Sequence, residues 1–383
     1  MKTIENINIT GKKVLIRCDF NVPIKNGKII DDNRIKKSIK TIKYALKYAK
    51  HVIIISHLGR IKTKEDMQVN SLKIVCDYLS KLIDEKIIFC TYIDDVQKNI
   101  ENNKIVMLEN TRYFDLDNTK ESSNDENLAK YFASLADVYI NDAFGVCHRS
   151  AASTTGVSRL LESAIGFLVE EEINKLSELF NPDRPFTIIL GGSKVSDKIG
   201  IISNLIEKCD KLVIVGAMSF TFLKAKGYSV GNSILDIENI DYAKDLLEKY
   251  GEKIILPSDI YIADTIDSDK KKLVKIDNIS KMGLDIGPNT ILDIKKQINN
   301  SKMILVNGPA GAYENPTFSY GTEELLKYLS SLDAKVIIGG GDSASAAINL
   351  IGENKFYHIS TGGGASLEFL EGKVLPGLRY IGD

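Results

Sequence analysis

Four arginines, a histidine and an acid–amide pair follow short apolar runs in the first half of the chain. Run 13–17 ends on Arg17 and leads into Asp19, Phe20 and Asn21. Run 52–56 leads into His57-Leu58-Gly59-Arg60, run 105–108 into Arg112, and run 138–141 into Asp142, His148 and Arg149. Arg34 opens the helix-patterned segment that follows the first run. If these runs are parallel strands, the residues after them stand at the C-terminal edge of a sheet, where open α/β sheets bind ligands. Guanidinium groups gathered there grip phosphate or carboxylate bidentately. Asp19 and Asn21 are suited to a hydroxyl. The implied ligand is small, anionic and hydroxylated. One arginine after one strand is ordinary surface charge, but four repeating the placement are harder to dismiss.

The second half carries a different chemistry. Run 186–190 passes into Gly191-Gly192-Ser193-Lys194-Val195-Ser196-Asp197-Lys198. Glycines let the backbone approach a ligand, and the start of a following helix offers free N–H groups to an anion. Lys194 and Lys198, four residues apart, are expected on one helical face toward a phosphate. The P-loop pattern GxxxxGK[ST] is absent at this position. Run 335–338 passes into Gly339-Gly340-Gly341-Asp342-Ser343, where a carboxylate beside phosphates reads as a ligand of Mg²⁺. Asn307 and Glu314 follow run 303–306, and Gly362-Gly363-Gly364 follows run 356–360.

The elements that must position these residues are legible in outline. Runs 13–17, 52–56, 87–90, 105–108 and 138–141, and then 186–190, 211–215, 253–256, 303–307, 335–338 and 356–360, are continuously apolar rather than alternating. Strands covered on both faces read that way, which points to parallel sheets. The segments between are long enough for crossover helices. Segment 33–49 puts Ile35, Ile39, Ile42, Leu46 and Ala49 on one stripe behind the caps Asp31, Asp32 and Asn33. Segments 196–209, 218–226, 240–250 and 322–331 repeat the pattern. Some eleven strands are too many for one ordinary open sheet, so two α/β domains are expected. The helical stretch 167–180, ending at Asn181-Pro182-Asp183-Arg184-Pro185, marks the connection.

Composition bounds the alternatives. The chain has 383 residues, with 50 Lys plus Arg against 51 Asp plus Glu. That balance argues against a broad nucleic-acid-binding surface. No apolar run approaches the ~20 residues of a membrane span, and the N-terminus lacks the apolar core of a secretion signal. Cys18, Cys76, Cys90, Cys147 and Cys209 are odd in number and form no CxxC, which fits free thiols in a reducing cytoplasm.

Taken in order, the segments RCDFNVP (17–23), SHLGR (56–60), LENTRY (108–113), NDAFGVCHR (141–149), LGGSKVSDKI (190–199), GAMSFTFL (216–223), NGPAGAYE (307–314), GGGDSA (339–344) and STGGGASLEFLEGKVLPG (360–377) make the sequence resemble the phosphoglycerate kinase family. The likeness covers essentially the whole chain. It implies an α/β protein of two Rossmann-like domains, each with a mainly parallel sheet flanked by helices, separated by a cleft with a hinge helix. It places a triose domain at 1–165 plus the tail 372–383, a connecting helix at 166–180 and a nucleotide domain at 181–371.

The implied activity is Mg²⁺-dependent phosphoryl exchange between 1,3-bisphosphoglycerate and ADP, giving 3-phosphoglycerate and ATP, by a cytoplasmic, monomeric glycolytic enzyme. Carried over by residue, the triose site falls on Asp19, Phe20, Asn21, Arg34, His57, Leu58, Gly59, Arg60, Arg112 and Arg149. The nucleotide site falls on Gly191, Lys198, Gly216, Asn307, Glu314, Gly340, Gly341, Asp342 and Ser343, with Asp342 serving Mg²⁺. Arg34, Lys194 and Lys198 match the residues that stabilise the transferring phosphoryl group. Three segments depart from the family pattern. HRAHS appears as His148-Arg149-Ser150-Ala151-Ala152, GVFE as Gly311-Ala312-Tyr313-Glu314, and GGGDTA as GGGDSA. Ala312 and Tyr313 are expected to reshape the nucleoside pocket. A non-catalytic nucleotide-binding protein of the same fold and a different two-domain kinase acting on a carboxylate are the rival readings. The first would be expected to have lost Lys198, Asp342 or Arg34, and the DFN and HLGR segments argue against the second.

Overall fold

A computed structural model describes residues 1–116 and 118–382. Asp383, the last residue of the expected tail, lies outside the described residues. The chain divides into two compact units, Met1–Asn174 with Val374–Asp383, and Lys175–Lys373. The division falls inside the connecting helix rather than at either of its ends.

The first unit is built on strands β1 (Lys13–Cys18), β2 (Ile24–Lys25), β3 (Lys28–Ile29), β4 (His51–Ile55), β5 (Ile88–Cys90), β6 (Ile105–Leu108), β7 (Val138–Asp142) and β8 (Glu162–Ile165). Helices α1 (Asn33–Tyr48), α2 (Lys64–Val69), α3 (Lys73–Ile83), α4 (Ile93–Ile100) and α5 (Glu126–Ala133) connect them, and α6 (Phe167–Ser177) leads away. The main sheet has six parallel strands in the order β5-β6-β4-β1-β7-β8. Its apolar runs are continuous because both faces are covered. Val14, Ile16, Val52, Ile54 and Ile140 enter one core, while Leu15, Ile53, Ile55, Val106 and Tyr139 enter the other. Strand β8 was not foreseen, since Glu162-Ser163-Ala164-Ile165 is too short and mixed to read as a run. Nor was the hairpin β2–β3, whose turn places Asn26 and Gly27 at positive φ.

Helix α1 buries Ile35, Ser38, Thr41, Ile42 and Ala45, with lysines outward. Of the expected caps, Asp31 accepts the Asn33 N–H at 2.9 Å. Asp32 occupies the cap position without capping, because its carboxylate is engaged by Lys36 at 3.0 Å and by the Tyr78 hydroxyl.

The second unit holds β9 (Phe186–Leu190), β10 (Lys211–Ile214), β11 (Ile254–Ile255), β12 (Asp259–Ala263), β13 (Lys272–Lys275), β14 (Met282–Ile286), β15 (Met303–Asn307), β16 (Lys335–Gly339) and β17 (His358–Ile359). Its helices are α7 (Ile199–Leu205), α8 (Met218–Ala225), α9 (Ile240–Tyr250), α10 (Pro288–Ile298), α11 (Tyr320–Leu329), α12 (Gly341–Leu350) and α13 (Gly364–Leu370). The parallel sheet runs β11-β10-β9-β15-β16-β17. A three-stranded antiparallel sheet, β13-β12-β14, is an addition that the apolar pattern missed. Lys272–Lys275 is largely exposed and carries little hydrophobic signal.

The tail belongs to the first unit. Gly377 donates its N–H to Cys147 O at 2.8 Å, and Asn141 Nδ2 donates to Gly377 O at 2.9 Å. All five cysteines are buried free thiols. No helix among the described residues is long and apolar enough to cross a membrane.

Candidate active site

In the first sheet β1 lies between β4 and β7, so the chain order reverses there and a crevice opens beyond its C-terminal end. The segment leaving β1 is held tightly. Ser56 donates its hydroxyl to Cys18 O at 2.7 Å and accepts the Phe20 N–H at 2.9 Å, while the Phe20 ring is fully buried. Asp19, also buried, takes an ion pair from Arg34 at 2.8 Å. Asn21 Oδ1 accepts the Gly59 N–H at 2.9 Å. Both residues expected to meet a ligand hydroxyl therefore also serve the scaffold: Asp19 aims Arg34, and Asn21 ties the loop of β1 to that of β4.

Gly59 has φ +61°, and a Cβ there would come within 2.2 Å of Asn70 Oδ1. This close approach lets Gly59 O accept from Arg112 Nη1 at 2.5 Å. Asn110 fixes the same corner, donating Nδ2 to Leu58 O and Asn70 O and accepting the Arg112 N–H at 3.0 Å. Arg149, exposed, donates Nε to His148 Nε2 at 3.1 Å. Arg60 is exposed in the loop beyond Gly59.

His57 is buried among these cations. Burial first, then the charges of Arg17, Arg112, Arg34 and Arg149, push its imidazole well below its ordinary value. His57 is neutral at physiological pH, so the positive charge of this rim is arginine. Arg112 is itself lowered by burial and by Arg149 and Arg17. Cations that mutually disfavour one another in this way are suited to an anion. A separate cavity of about 710 Å³ opens beside the rim, where Asn21, Asn70, Lys73 and Asp77 form part of the wall. Among the described residues, no arginine lines that cavity.

In the second sheet the order reverses at β9 and β15, which pair in register so that Asn307 stands opposite Leu190. Gly191 follows Leu190 and donates its N–H to Asn307 O at 2.9 Å. A Cβ on Gly191 would stand 2.1 Å from Pro309 O, so only glycine permits this approach. Gly216, at φ +67°, donates to Ala310 O at 3.1 Å. Gly340 caps α12 at φ +86°. Behind it the buried Ser343 hydroxyl accepts the Gly308 N–H at 2.6 Å. Gly341 and Asp342 stand exposed in the first turn of α12.

Lys198 is half-buried and donates Nζ to Asn307 Oδ1 at 2.6 Å. Burial lowers its ammonium from the ordinary lysine value, against the opposing charges of Asp197, Asp342 and Glu371. The expected helical face shared by Lys194 and Lys198 does not form. Ser196–Lys198 is a 3₁₀ turn and α7 begins only at Ile199, so Lys198 caps the helix and Lys194 precedes it in an exposed loop. Asp236 secures this turn by accepting the Ser196 N–H at 2.9 Å.

A slot of about 210 Å³ is lined by Gly216, Phe220, Gly283, Ala310, Ala312 and Glu314, among others. Ala312 is among the lining residues. Tyr313 is not, and its ring packs against the hydrophobic core. Asp285 borders the slot, and burial pushes its carboxyl up to about 7.

Sequence reasoning passed over three buried residues beneath the first rim. In the sequence Arg17 ends run 13–17 and opens RCDFNVP without marking a buried role, and nothing singles out Glu121 or Ser153. A charged residue closing an otherwise fully apolar strand was the one available signal, and it marked Arg17.

The fold and these two rims define a class, a two-unit α/β protein with cationic side chains beyond the C-terminal strand ends of each unit's parallel sheet. The family model for phosphoglycerate kinase matches residues 4–373. The phosphoglycerate kinase of Fusobacterium nucleatum is 49% identical over 393 residues, covering 99% of both chains. That of Staphylococcus aureus is 46% identical over 390 residues, covering 99% of this chain and 98% of its own. Among solved structures, phosphoglycerate kinase from Coxiella burnetii superposes with a TM-score of 0.86 at 37% identity, covering 99% of this chain and 98% of its own. The Pyrococcus horikoshii enzyme gives 0.85 at 29% identity, covering 100% and 98%. The chain belongs to the phosphoglycerate kinase family.

Proposed function

We propose that this chain catalyses reversible phosphoryl transfer between 1,3-bisphosphoglycerate and ADP, giving 3-phosphoglycerate and ATP in glycolysis. The observation that carries the reading is family membership across residues 4–373. The triose anion is assigned to Arg34, Arg60, Arg112 and Arg149, with His57 as a neutral hydrogen-bonding group. The nucleotide is assigned to the Gly191, Gly216 and Gly340 turns, with Asn307, Glu314 and Ser343.

In the ATP-forming direction an ionised β-phosphate oxygen of ADP attacks the acyl phosphorus. The phosphorus–acyl oxygen bond breaks, and the carboxylate of 3-phosphoglycerate leaves. No general base is needed, because the nucleophile already bears its charge. The protein's task is to position both substrates and to neutralise the equatorial oxygens. Arg34, fixed by Asp19, and Lys198, held at Asn307, are the groups assigned to that charge, with Lys194 from the exposed loop ahead of α7.

Asp342 fits a Mg²⁺ carried by the nucleotide phosphates, since its carboxylate is exposed in the first turn after the glycine cap. When bound, the ion supplies charge neutralisation of the phosphate tail. The buried free thiols support a reducing, cytoplasmic setting, and we assign a monomer. The Lys198→Ala variant tests the assignment. It should lose turnover while keeping affinity for 3-phosphoglycerate, and near-full rate would remove Lys198 from its role.

A further inference from the structure

Beneath the arginine rim lies a chain of buried polar groups that no step above uses. Glu121 is 3% exposed and sits in the segment before α5. Its backbone carbonyl accepts the Ala152 N–H at 3.0 Å. One carboxylate oxygen accepts the Ser153 N–H at 3.0 Å, and the other accepts the Ser153 hydroxyl and, at 3.3 Å, the Thr111 hydroxyl. Ser153 belongs to a wholly buried π-helical turn, Ala152–Gly156, closed by a bond from the Gly156 N–H to Ala151 O. Such turns are uncommon and frequently border functional sites.

The Ser153 hydroxyl gives its one proton to Glu121, so toward Arg17 it can only accept. Arg17 Nε donates to it at 2.9 Å. Another guanidinium nitrogen, Nη1, donates to Cys18 O, and the third, Nη2, meets His57 Nδ1 at 3.2 Å. A guanidinium has no acceptor. His57 Nδ1 must therefore be unprotonated, and the neutral ring carries its proton on Nε2. The order Glu121, Ser153, Arg17, His57 thus has a defined hydrogen-bond direction from end to end. Thr111, the other side chain on Glu121, immediately precedes Arg112.

We propose that Glu121 is a positioning residue for the triose site, acting through Ser153 and Arg17 to lock His57 as the Nε2–H tautomer and to hold the Arg112 corner in place. Glu121 touches no substrate. Burial raises its carboxyl from the ordinary value and the charge of Arg17 opposes that rise, and through Ser153 it orients the donors by which the rim reads a hydroxylated anion. The substrate half of this proposal rests on the function assigned above, whereas the tautomer half does not.

The experiment uses the full chain with ¹⁵N-labelled histidine. Long-range ¹H–¹⁵N spectra of the wild type should show His57 as a single Nε2–H tautomer from pH 6 to 8. Glu121→Gln, which keeps the shape and removes the charge, should produce a tautomer mixture. It should also raise KM for 3-phosphoglycerate roughly tenfold or more, the scale of a lost hydrogen bond to a charged group, with KM for ATP nearly unchanged. Ser153→Ala keeps the backbone bond to Glu121 and removes the relay hydroxyl. It should move both readouts in the same direction, and it decides the matter if Glu121→Gln does not fold. An Nδ1–H tautomer in the wild type, or unchanged spectra and an unchanged KM in the folded variants, overturns the proposal. A tautomer shift in a protein that turns over neither substrate leaves the relay standing and overturns the assigned function instead.

Discussion

Replacing Asp142 by Asn should make the protein more stable at pH 8 than the wild type, by a margin that vanishes near pH 4. Asp142 ends β7 and is fully buried. Its Oδ1 accepts the Leu168 N–H at 3.0 Å in the first turn of α6, while Oδ2 has no hydrogen-bond partner. Gly166 leaves room for it, since a Cβ there would come within 2.2 Å of Oδ1. Burial pushes this carboxyl from its ordinary 3.8 up to about 7, against the bond from Leu168.

The folded protein therefore holds a proton that the unfolded chain releases. The resulting stabilisation is complete below the unfolded value of 3.8 and is lost as pH rises through about 7. At 1.36 kcal/mol per pH unit, the span corresponds to ~4 kcal/mol. Asn keeps the acceptor toward Leu168 and places an N–H₂ where the bare oxygen stood, without a charge to bury. The difference in unfolding free energy, variant minus wild type, should grow by ~4 kcal/mol between pH 4 and pH 8. Calorimetry at pH 4, 5, 6.5 and 8 reads it, and the ¹³C shift of the Asp142 carboxyl gives the titration directly. A carboxyl that titrates near 4, or a variant whose margin is the same at all four pH values, refutes the reasoning.

Other outcomes follow from the same geometry. Lys198→Ala should depress kcat by roughly 10²–10³-fold, the scale of a lost charge-stabilising donor, while calorimetric titration shows 3-phosphoglycerate binding retained. Gly191→Ala drives a Cβ to 2.1 Å from the backbone oxygen of Pro309. It should lower stability by about 1–3 kcal/mol and weaken nucleotide binding, read by thermal melts with and without ADP. Asp342→Asn should raise the Mg²⁺ concentration needed for half-maximal rate while leaving the melting temperature unchanged. Asp19→Asn removes the ion partner of Arg34 at 2.8 Å and should raise KM for 3-phosphoglycerate without altering KM for ATP.

The two parallel sheets were legible because burial on both faces writes itself as unbroken apolar runs such as Leu15-Ile16 and Ile53-Ile54-Ile55. Residues following those runs pointed to both rims for the same reason. The antiparallel β13-β12-β14 sheet was not legible, since Lys272–Lys275 is mostly exposed and β14 contains Gly283, kept small by the Phe220 ring against it. The shared helical face of Lys194 and Lys198 failed because a 3₁₀ turn intervenes, a distinction that spacing does not carry. Tyr313 faces the core rather than the slot for a similar reason, as loop residues have no periodicity to assign their sides. Glu121 stayed hidden because its partners, Thr111 and Ser153, are distant in sequence and chemically ordinary. A hydrogen-bond network of that kind exists only once the chain is folded.

The central claim is the reaction itself, and the most direct measurement is ADP formation by the purified chain supplied with ATP, 3-phosphoglycerate and Mg²⁺. Turnover should lie in the ordinary enzymatic range, about 1–10³ s⁻¹, and should depend on all three components. A folded chain that binds nucleotide yet forms no ADP in response to 3-phosphoglycerate would contradict the account.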